Sequence, residues 1–293
     1  MQFLKPVSAV ARKVLSPAVL RFVRLHLRGR VPAADTYRAS LAGKLALEIG
    51  GPSEIFDDHG PLPLYRALGC VDNCLFSVDT IWTGEIEPQC HFHYHPEKRA
   101  GIQFICDATN LKSILDASYE CVLASHCLEH VANPLRALSE WKRVLKEGGF
   151  LVLILPHKDG IFDWRRPTTS LAHMREDYQN NTGEDDLTHL PEILALHDLE
   201  MDERAGSPEW FYLRCINNLS NRTMHHHVFD TSTAVSLLDE SGFQLIRVDT
   251  FRPCHIILFA RRCAGAPDNA GFLAPNTNYR LSSPFASDRR FDH

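Results

Sequence analysis

The chain has 293 residues, of which 44% are hydrophobic and 23% are charged, and these values are typical of a globular protein rather than a fibrous or disordered one. No apolar run reaches the roughly 18 residues that cross a bilayer, and Arg12, Lys13 and Arg21 interrupt what would have to be the apolar core of a secretory signal. Nine cysteines without a C-x-x-C pair argue against a disulfide framework and a zinc ribbon, so we expect a cytoplasmic protein.

The formal net charge of −5 is unevenly distributed along the chain. Residues 1–44 carry nine Lys or Arg and one acid, a charge of +8, which leaves −13 for the remainder. Because binding to nucleic-acid phosphates normally requires a basic face, we predict no nucleic-acid partner for this acidic body. The expected partner is a small-molecule substrate.

The first predicted element is a basic amphipathic helix within an N-terminal segment of residues 1–40. Over residues 9–28, apolar side chains recur at helical spacing while Arg and Lys occupy the other positions. Such a helix suits packing over one edge of the following domain. It also suits peripheral contact with an anionic membrane or a partner protein.

Beyond this segment, short apolar runs alternate with helical patterns, as is typical of a parallel sheet covered by helices. The predicted strands are residues 45–49, 103–106, 121–125 and 150–155. A helix capped by Asn133 is predicted over 134–146, and a second helix over 232–240. Two further runs, 243–248 and 255–260, predict an antiparallel hairpin at one edge of the sheet, and the whole domain is expected to span residues 41–262.

Two segments do not follow this alternation. Residues 158–221 interrupt it late in the sheet, where an insertion of this size usually covers the ligand crevice and sets specificity. Residues 263–293 are rich in Ala, Pro, Asn, Ser and Asp without periodicity, so we expect a flexible tail there.

A glycine turn follows the first predicted strand. The strand runs through Glu48 into Gly50 and Gly51, where backbone without side chains lets a ligand approach the carboxyl edge of the sheet. The motif is not G-x-G-x-x-G, because Pro52 and Ser53 stand where later glycines would be. The turn indicates a cofactor position without identifying the cofactor.

Acidic residues follow at the expected ends of the next two strands. Asp72 lies 24 residues after the acid of the glycine turn, near the spacing at which a carboxylate accepts ribose hydroxyls, and Asp79 is the alternative. Asp107 and Ala108 follow the predicted strand 103–106. There a carboxylate can accept a hydrogen bond from the exocyclic amine of adenine, and a small neighbour admits the ring.

Four stretches carry a resemblance to a known family: ALEIGGPS (46–53), CDATNL (106–111), residues 124–158 with their LEH and GGFLVLILP segments, and HHHVFDTSTAVSLLDESGF (225–243). They resemble the successive motifs of class I S-adenosylmethionine-dependent methyltransferases of the small-molecule type. This implies an α/β fold with a doubly wound, Rossmann-like, mostly parallel seven-stranded sheet, and S-adenosylmethionine as the cofactor. By the resemblance, the methionine end contacts Glu48, Gly50 and Gly51, the ribose contacts Asp72, the adenine contacts Asp107 and Ala108, and the region near the sulfonium contacts Ser125 and His126.

A sulfonium is already an activated methyl donor, so the protein chiefly aligns the acceptor, excludes water and removes a proton when the acceptor is a hydroxyl. His157, directly after the predicted strand 150–155, is the first candidate for a catalytic base because it lies at the carboxyl edge of the sheet. His126 and His189 are the further candidates. Each of the three could instead be a hydrogen-bonded loop histidine.

Sixteen histidines raise the question of a metal site. Alternation in HFHYH (91–95) would place three imidazoles on one face of a strand, and HHH (225–227) is a second group. Neither has an acid or cysteine fixed at ligand spacing, so no metal is predicted, with zinc as the alternative. Arg165 and Arg166 could bind an acidic substrate, or they could pair with the acids of residues 184–186.

The predicted activity is methyl transfer to a hydroxyl or amine of a small polar metabolite or sugar. A nicotinamide-dependent oxidoreductase would share the sheet and the ribose acid, but the glycine spacing differs and the block from LEH to GGF has no role in it. A non-catalytic, cofactor-binding or membrane-associated scaffold with the same fold is the other alternative.

Overall fold

The computed structural model of the chain describes residues 29–86 and 91–289. The predicted basic helix over 9–28 therefore lies outside the described residues. The first described element is helix α1 (Ala34–Leu41), which buries Tyr37 and Leu41. Within the described ranges, no helix combines the length and the apolar character needed to span a membrane.

The central feature is an eight-stranded sheet. Its strands are β1 (Leu45–Ile49), β2 (Cys70–Leu75), β5 (His91–Phe92), β6 (Gly101–Ile105), β7 (Tyr119–Ser125), β8 (Leu145–Pro156), β9 (Phe243–Phe251) and β10 (His255–Arg262), while β3 (Asp79–Thr80) and β4 (Gly84–Glu85) form a separate ribbon. The order across the sheet is β5-β6-β2-β1-β7-β8-β10-β9. The five strands from β6 to β8 are parallel to their neighbours, and β10 and β9 form the antiparallel hairpin. The predicted fold class is confirmed, with the two-residue β5 added at one edge.

Helices connect and cover these strands. They are α2 (Pro134–Val144), α3 (Leu171–Asn180), α4 (Leu190–Leu196), α5 (Pro208–Ile216), α6 (Asn218–Asn221), α7 (Thr231–Glu240), α8 (Ala270–Leu273) and α9 (Asn278–Ser282). The predicted cap of α2 is present, since the Asn133 side chain accepts a hydrogen bond from the amide of Arg136 at 3.1 Å. This helix ends two residues earlier than predicted because Leu145 already has extended backbone and begins β8.

Apolar side chains cover both faces of the sheet. Along β1, Leu47 packs into one core and Ala46 into the other, as the two-residue period of a strand requires. Trp141 of α2 is fully buried in the first core, and its indole Nε1 donates to the carbonyl of Ala108 at 3.0 Å. Burial on both faces explains the nearly continuous apolar runs of the central strands.

The prediction of a flexible tail is wrong for the described residues 263–289. This segment forms α8, α9 and a short 3₁₀ turn, and its polar side chains bind backbone and buried groups of the domain. Asn269 is buried, donates to the carbonyl of Phe243 at 2.9 Å and accepts from the amide of Leu245 at 2.8 Å. Buried polar side chains bind this segment to the domain, so its sequence lacks the apolar periodicity on which the prediction relied.

The buried carboxylate of Asp288 fixes the end of this segment. It accepts hydrogen bonds from the Thr231 hydroxyl at 2.7 Å and the Ser283 hydroxyl at 2.6 Å, and it lies 3.1 Å from Nε2 of His157. Burial opposes ionisation of Asp288, but His157 and these hydroxyls outweigh it and lower the pKa of the carboxyl. The segment is therefore part of the folded domain.

We predict that Asp288→Ala lowers the free energy of unfolding by about 3 kcal/mol, because it leaves several buried donors without an acceptor. Urea denaturation at neutral pH measures this. Asp268→Ala, an exposed aspartate of the same segment, is the matched control and is expected to stay within about 0.5 kcal/mol of the parent. Equal effects of the two substitutions would contradict the assigned role.

Candidate functional site

A cavity of about 590 Å³ opens at the carboxyl ends of the parallel strands. It lies where the strand order reverses between β1 and β7, the position at which open α/β sheets bind ligands. The lining residues that follow the strands are Ile49, Gly50, Leu75, Phe76, Cys106, Asp107, Ala108, Ser125, His126 and Cys127. The segment predicted to cover the crevice contributes Ile161, Phe162, Glu184, Asp202, Arg204 and Arg214.

The glycine turn forms one wall of this cavity. Gly50 has a φ of +82°, a left-handed conformation that favours glycine, and its amide donates to the carbonyl of Cys74 at 2.9 Å. A Cβ on Gly51 would lie 2.4 Å from Oε2 of Glu48. The Gly51 amide donates to the Asn73 side chain at 2.9 Å. Local geometry therefore requires both glycines, and Gly50 brings bare backbone to the cavity.

Glu48 lies beneath the turn rather than in the cavity wall. Its side chain is fully buried, and Oε2 accepts a hydrogen bond from the hydroxyl of Tyr65 at 2.8 Å. The other oxygen, Oε1, has no hydrogen-bond partner among the described residues. Burial raises the pKa of Glu48 to about 7. This carboxyl group is consequently poised to respond to a positive charge brought to the turn.

The structure corrects the position predicted for Asp72. This residue lies in the middle of β2, where its carboxylate accepts from the amide of Ile102 at 2.7 Å and the hydroxyl of Tyr119 at 2.7 Å. It is buried and does not line the cavity, because β2 continues for three residues beyond it. The alternative, Asp79, is exposed in β3 and does not line the cavity either.

Asp107 and Ala108 do line the cavity, as does Ser125. One oxygen of Asp107 accepts from the amide and the hydroxyl of Thr109 at 2.8 and 2.7 Å. The other accepts from the guanidinium of Arg222 at 3.0 Å. Arg222 thus connects the end of the covering segment to the loop after β6.

His126 is in the cavity wall, directly after β7, with a φ of 50°. Its Nε2 lies 2.9 Å from Nδ1 of His255, and its Nδ1 lies 3.7 Å from a carboxylate oxygen of Glu129. Burial lowers the pKa of His126 well below its usual range. This imidazole is therefore neutral, with one nitrogen already paired to another histidine.

Neither His157 nor His189 occupies the position predicted for a base. His157 is fully buried behind the cavity, its ring is stacked on Phe285 at 4.0 Å between centroids, and both nitrogens have partners. His189 lies outside the cavity, with its Nε2 3.0 Å from Nε2 of His173. Pro156, the last residue of β8, lines the cavity, but the side chain of His157 is bound by Asp288 of the tail. Spacing along the chain does not reveal this.

The cavity wall contains a buried acid that the sequence prediction missed. Glu129, in the 3₁₀ turn Leu128–His130 of the LEH segment, is 1% exposed, and neither carboxylate oxygen has a hydrogen-bond partner within the described ranges. Burial raises the pKa of Glu129 to about 7. A buried carboxylate without hydrogen bonds lowers the stability of the fold unless a bound ligand supplies those hydrogen bonds.

A second missed group is a histidine–aspartate pair. His225 lines the cavity, and its Nδ1 lies 2.5 Å from Oδ2 of Asp163. Burial lowers the pKa of His225, but the charge of Asp163 outweighs burial and raises it above the ordinary value. Burial in turn raises the pKa of Asp163, but His225 and Arg166 outweigh it and lower this pKa to about 2. The two residues are 62 positions apart in the chain, so the sequence does not reveal that they pair. The tripeptide HHH was the signal that singled out His225.

Arg166 supports this pair instead of binding a substrate. It is 1% exposed, and its guanidinium donates to Asp163 at 3.0 Å, to Glu192 at 2.7 Å and to the carbonyl of His225 at 2.9 Å. Arg165 pairs with Asp198 at 3.1 Å. Both arginines therefore form internal ion pairs, although with other acids than the sequence suggested.

Comparison with protein families gives one match. Residues 88–153 match the family model described as a methyltransferase domain, a range that runs from before β5 into β8 and includes the LEH turn. No curated protein sequence matches the chain.

Solved structures with similar architecture include several methyltransferases. An S-adenosylmethionine-dependent methyltransferase from Methanosarcina mazei is 18% identical with a TM-score of 0.47, over 81% of this chain and 100% of that chain. One from Mesorhizobium loti is 16% identical with a TM-score of 0.45, over 79% and 96%. One from Aquifex aeolicus is 13% identical with a TM-score of 0.41, over 86% and 96%. Likeness at this level carries no conclusion about activity.

We predict that Glu129→Gln alters the pH dependence of stability. Since the pKa of Glu129 is raised from 4.5 to about 7 in the folded chain, protonation stabilises the fold fully below pH 4.5, and this stabilisation is lost as the pH rises through 7. The loss approaches about 3 kcal/mol for a shift of this size. The amide cannot ionise, so the variant gains stability relative to the parent between pH 5 and 8.

Urea midpoints at four pH values across that range measure this difference. Glu147→Gln, at an exposed glutamate, is the matched control and is expected to follow the parent curve. Parallel curves for the parent and Glu129→Gln would show that the buried carboxyl does not titrate as described.

Proposed function

We propose that this chain, whose residues 88–153 match a family model described as a methyltransferase domain, uses S-adenosylmethionine to methylate a hydroxyl oxygen of a small polar acceptor. The match confirms the resemblance indicated by the sequence motifs, and S-adenosylmethionine is the cofactor that this family implies. The observation that carries the proposed reaction is the His225–Asp163 pair in the cavity wall.

The residues at the strand ends fit this cofactor in most respects. Gly50 offers backbone that a ligand can approach closely, and Ala108 and Asp107 offer a small side chain and a carboxylate at the next strand end. The unpaired oxygen of Glu48 beneath the turn suits a positively charged methionine end. Asp72, the acid expected to contact the ribose, lies outside the cavity wall.

When bound, the cofactor supplies an activated methyl group, and the protein must remove the acceptor proton and exclude water. His225 is the group best placed to accept that proton. Its Nδ1 is held by Asp163, which leaves Nε2 as the nitrogen available to a ligand. Asp163 orients the ring and stabilises the imidazolium formed after proton transfer, the role of the aspartate in a Ser-His-Asp triad.

Glu129 supports the same step. Its carboxyl group can approach His225 and His130, since one ligand atom from each of the three residues lies within 4.8 Å of the others. The charge of Glu129 raises the pKa of His225. Its unpaired oxygens can accept a hydrogen bond from a second hydroxyl of the acceptor, which would hold the reacting hydroxyl beside the base.

The lining of the cavity favours a small polar acceptor. Arginines from the covering segment reach it, but Arg214 is paired with Asp202 at 2.9 Å and Arg222 with Glu184 at 3.1 Å. Arg204 also lines the cavity and is exposed, so one cationic side chain among the described lining residues is left over, which is little positive charge for binding a polyanion. A sugar or a hydroxylated metabolite fits this balance better than nucleic acid does.

Ligand-dependent thermal stability tests the cofactor. We expect S-adenosylmethionine and S-adenosylhomocysteine to raise the melting temperature, because a ligand at 100 times its Kd stabilises the native state by about 2.7 kcal/mol. NAD at the same concentration serves as the matched control and is expected to have no effect. Stabilisation by NAD alone would overturn the proposal in favour of an oxidoreductase.

We predict that His225→Gln lowers the rate of methyl transfer by about 10²–10⁴-fold, because it removes the general base. Transfer of labelled methyl from S-adenosylmethionine to a panel of sugars and hydroxylated metabolites measures this rate. The parent rate should rise with pH through the raised pKa of His225, and this limb should be absent from the variant. Binding of S-adenosylhomocysteine should be unchanged.

Two further variants define the roles. Asp163→Asn removes the charge that raises the pKa of His225, so its pH limb should move to lower pH. His93→Gln, at an exposed histidine away from the cavity, is the control and should behave as the parent. A His225→Gln variant with the parent rate and pH profile would remove His225 as the base.

A further inference from the structure

Three imidazoles lie close together outside the cavity, and a carboxylate lies beside two of them. We call these side chains the histidine cluster: His173, Asp177, His189 and His227. His173 and Asp177 lie one turn apart on α3, and His189 immediately precedes α4. His227 lies in the extended segment before α7. The proposed methyl transfer uses none of these residues.

Polar atoms of these four side chains lie close to one another. Nε2 of His173 lies 3.0 Å from Nε2 of His189 and 3.5 Å from Oδ2 of Asp177. Nε2 of His227 lies 3.8 Å from the same carboxylate oxygen. One nitrogen from each of the three imidazoles lies within 4.8 Å of the others.

Hydrogen bonds within the cluster leave two of its buried polar atoms without a partner among the described residues. Oδ2 of Asp177 is buried and has no hydrogen-bond partner in the described part of the chain. His227 is 1% exposed, its Nε2 lies 3.2 Å from the carbonyl of Ala132, and its Nδ1 has no partner there. The hydrogen bond between His173 and His189 does not involve these two unpaired atoms of Asp177 and His227. Leaving each of them buried without a hydrogen bond costs about 1–3 kcal/mol.

The surroundings of two of the three imidazoles, His189 and His227, favour the neutral form that a metal requires. Burial lowers the pKa of His189, and it lowers the pKa of His227 well below its usual range. Neutral imidazoles carry a lone pair for a metal ion. A nearby carboxylate supplies negative charge. Nε2 of His227 donates to the carbonyl of Ala132, the kind of backbone partner that metal-binding histidines usually have, so Nδ1 is the nitrogen left to bind a metal ion.

We propose that His173, Asp177, His189 and His227 bind one zinc ion. Tetrahedral zinc with bonds of about 2.0–2.1 Å places its ligand atoms roughly 3.3 Å apart, close to the spacing of this cluster. Three imidazoles and one carboxylate favour zinc over magnesium or calcium, which prefer oxygen ligands. Four protein ligands fill the coordination shell, so the site is structural.

The site would fasten the covering segment to the segment before α7. Helix α3 contributes two ligands and the residue before α4 contributes a third. His227 is two residues from His225, the proposed base. The ion thereby fixes one wall of the cavity without touching a substrate. The sequence predicted no metal because the acid that completes HHH lies about fifty residues earlier in the chain.

Metal content of the full chain, purified without a histidine tag and without added metal, tests the proposal first. We expect about one zinc per chain by mass spectrometry. After removal of metal by a chelator, Zn²⁺ titrated by calorimetry should bind at one site and raise the melting temperature. Mg²⁺ should do neither.

Variants identify the ligands. Loss of a residue that only supports a ligand weakens metal binding about 10–100-fold, so His189→Gln and Asp177→Asn should each weaken Zn²⁺ binding by at least about 100-fold. His93→Gln is the control and should bind as the parent does. Retained binding of S-adenosylhomocysteine shows that a variant has folded, and Asp177→Asn preserves the shape of the side chain.

The outcomes are distinct from those of the methyl-transfer assay, because metal content is measured without any acceptor. A chain that binds no Zn²⁺ overturns the proposal. Equal binding by the parent, His189→Gln and Asp177→Asn does the same. Loss of Zn²⁺ in Glu129→Gln, with binding intact in the other two variants, would place the ion in the cavity and also overturn it.

Discussion

Arg166 is a fully buried cation, and the arrangement of the cavity wall follows from the need to neutralise it. An unpaired guanidinium in this position would cost several kcal/mol, so Asp163, Glu192 and a backbone carbonyl must surround it. These partners come from different parts of the chain. Because Asp163 also binds His225, the ion pair that stabilises the covering segment is the same one that orients the cavity histidine.

The sheet provides the other half of the site. Its order reverses between β1 and β7, so the loops that follow these strands leave in opposite directions and open a crevice. Bare backbone at Gly50 lies on one side and the LEH turn with Glu129 on the other. The cavity therefore joins a rigid, strand-anchored half to a half built from helices and loops of residues 158–227, which supply the groups most specific to this chain.

The sheet and its flanking helices were predictable because their apolar residues follow periods that packing enforces, as in α2 with its Asn133 cap. Gly50, Asp107, Ala108, Ser125 and His126 were placed at the cavity for a similar reason, since parallel strand ends share one edge.

Other parts depended on partners distant in sequence. His157 is bound by Asp288 from the tail, Asp72 lies too far from the end of β2, and His225 acquires its role from Asp163. Composition likewise indicated a flexible tail, because buried polar contacts such as those of Asn269 leave no periodic signature. The sequence contained these residues but not the contacts that give them their chemistry.

The unpaired oxygens of Glu48 and Glu129 give ligand binding an acid–base consequence. Both carboxyl groups are buried with a pKa of about 7, so at neutral pH each exists partly as the acid. A cation that enters the crevice favours the ionised form and expels the proton to solvent. Occupancy by a positively charged molecule would then acidify an unbuffered solution, and its affinity would increase as the surroundings become more alkaline. A neutral ligand of the same shape would release no protons by this route.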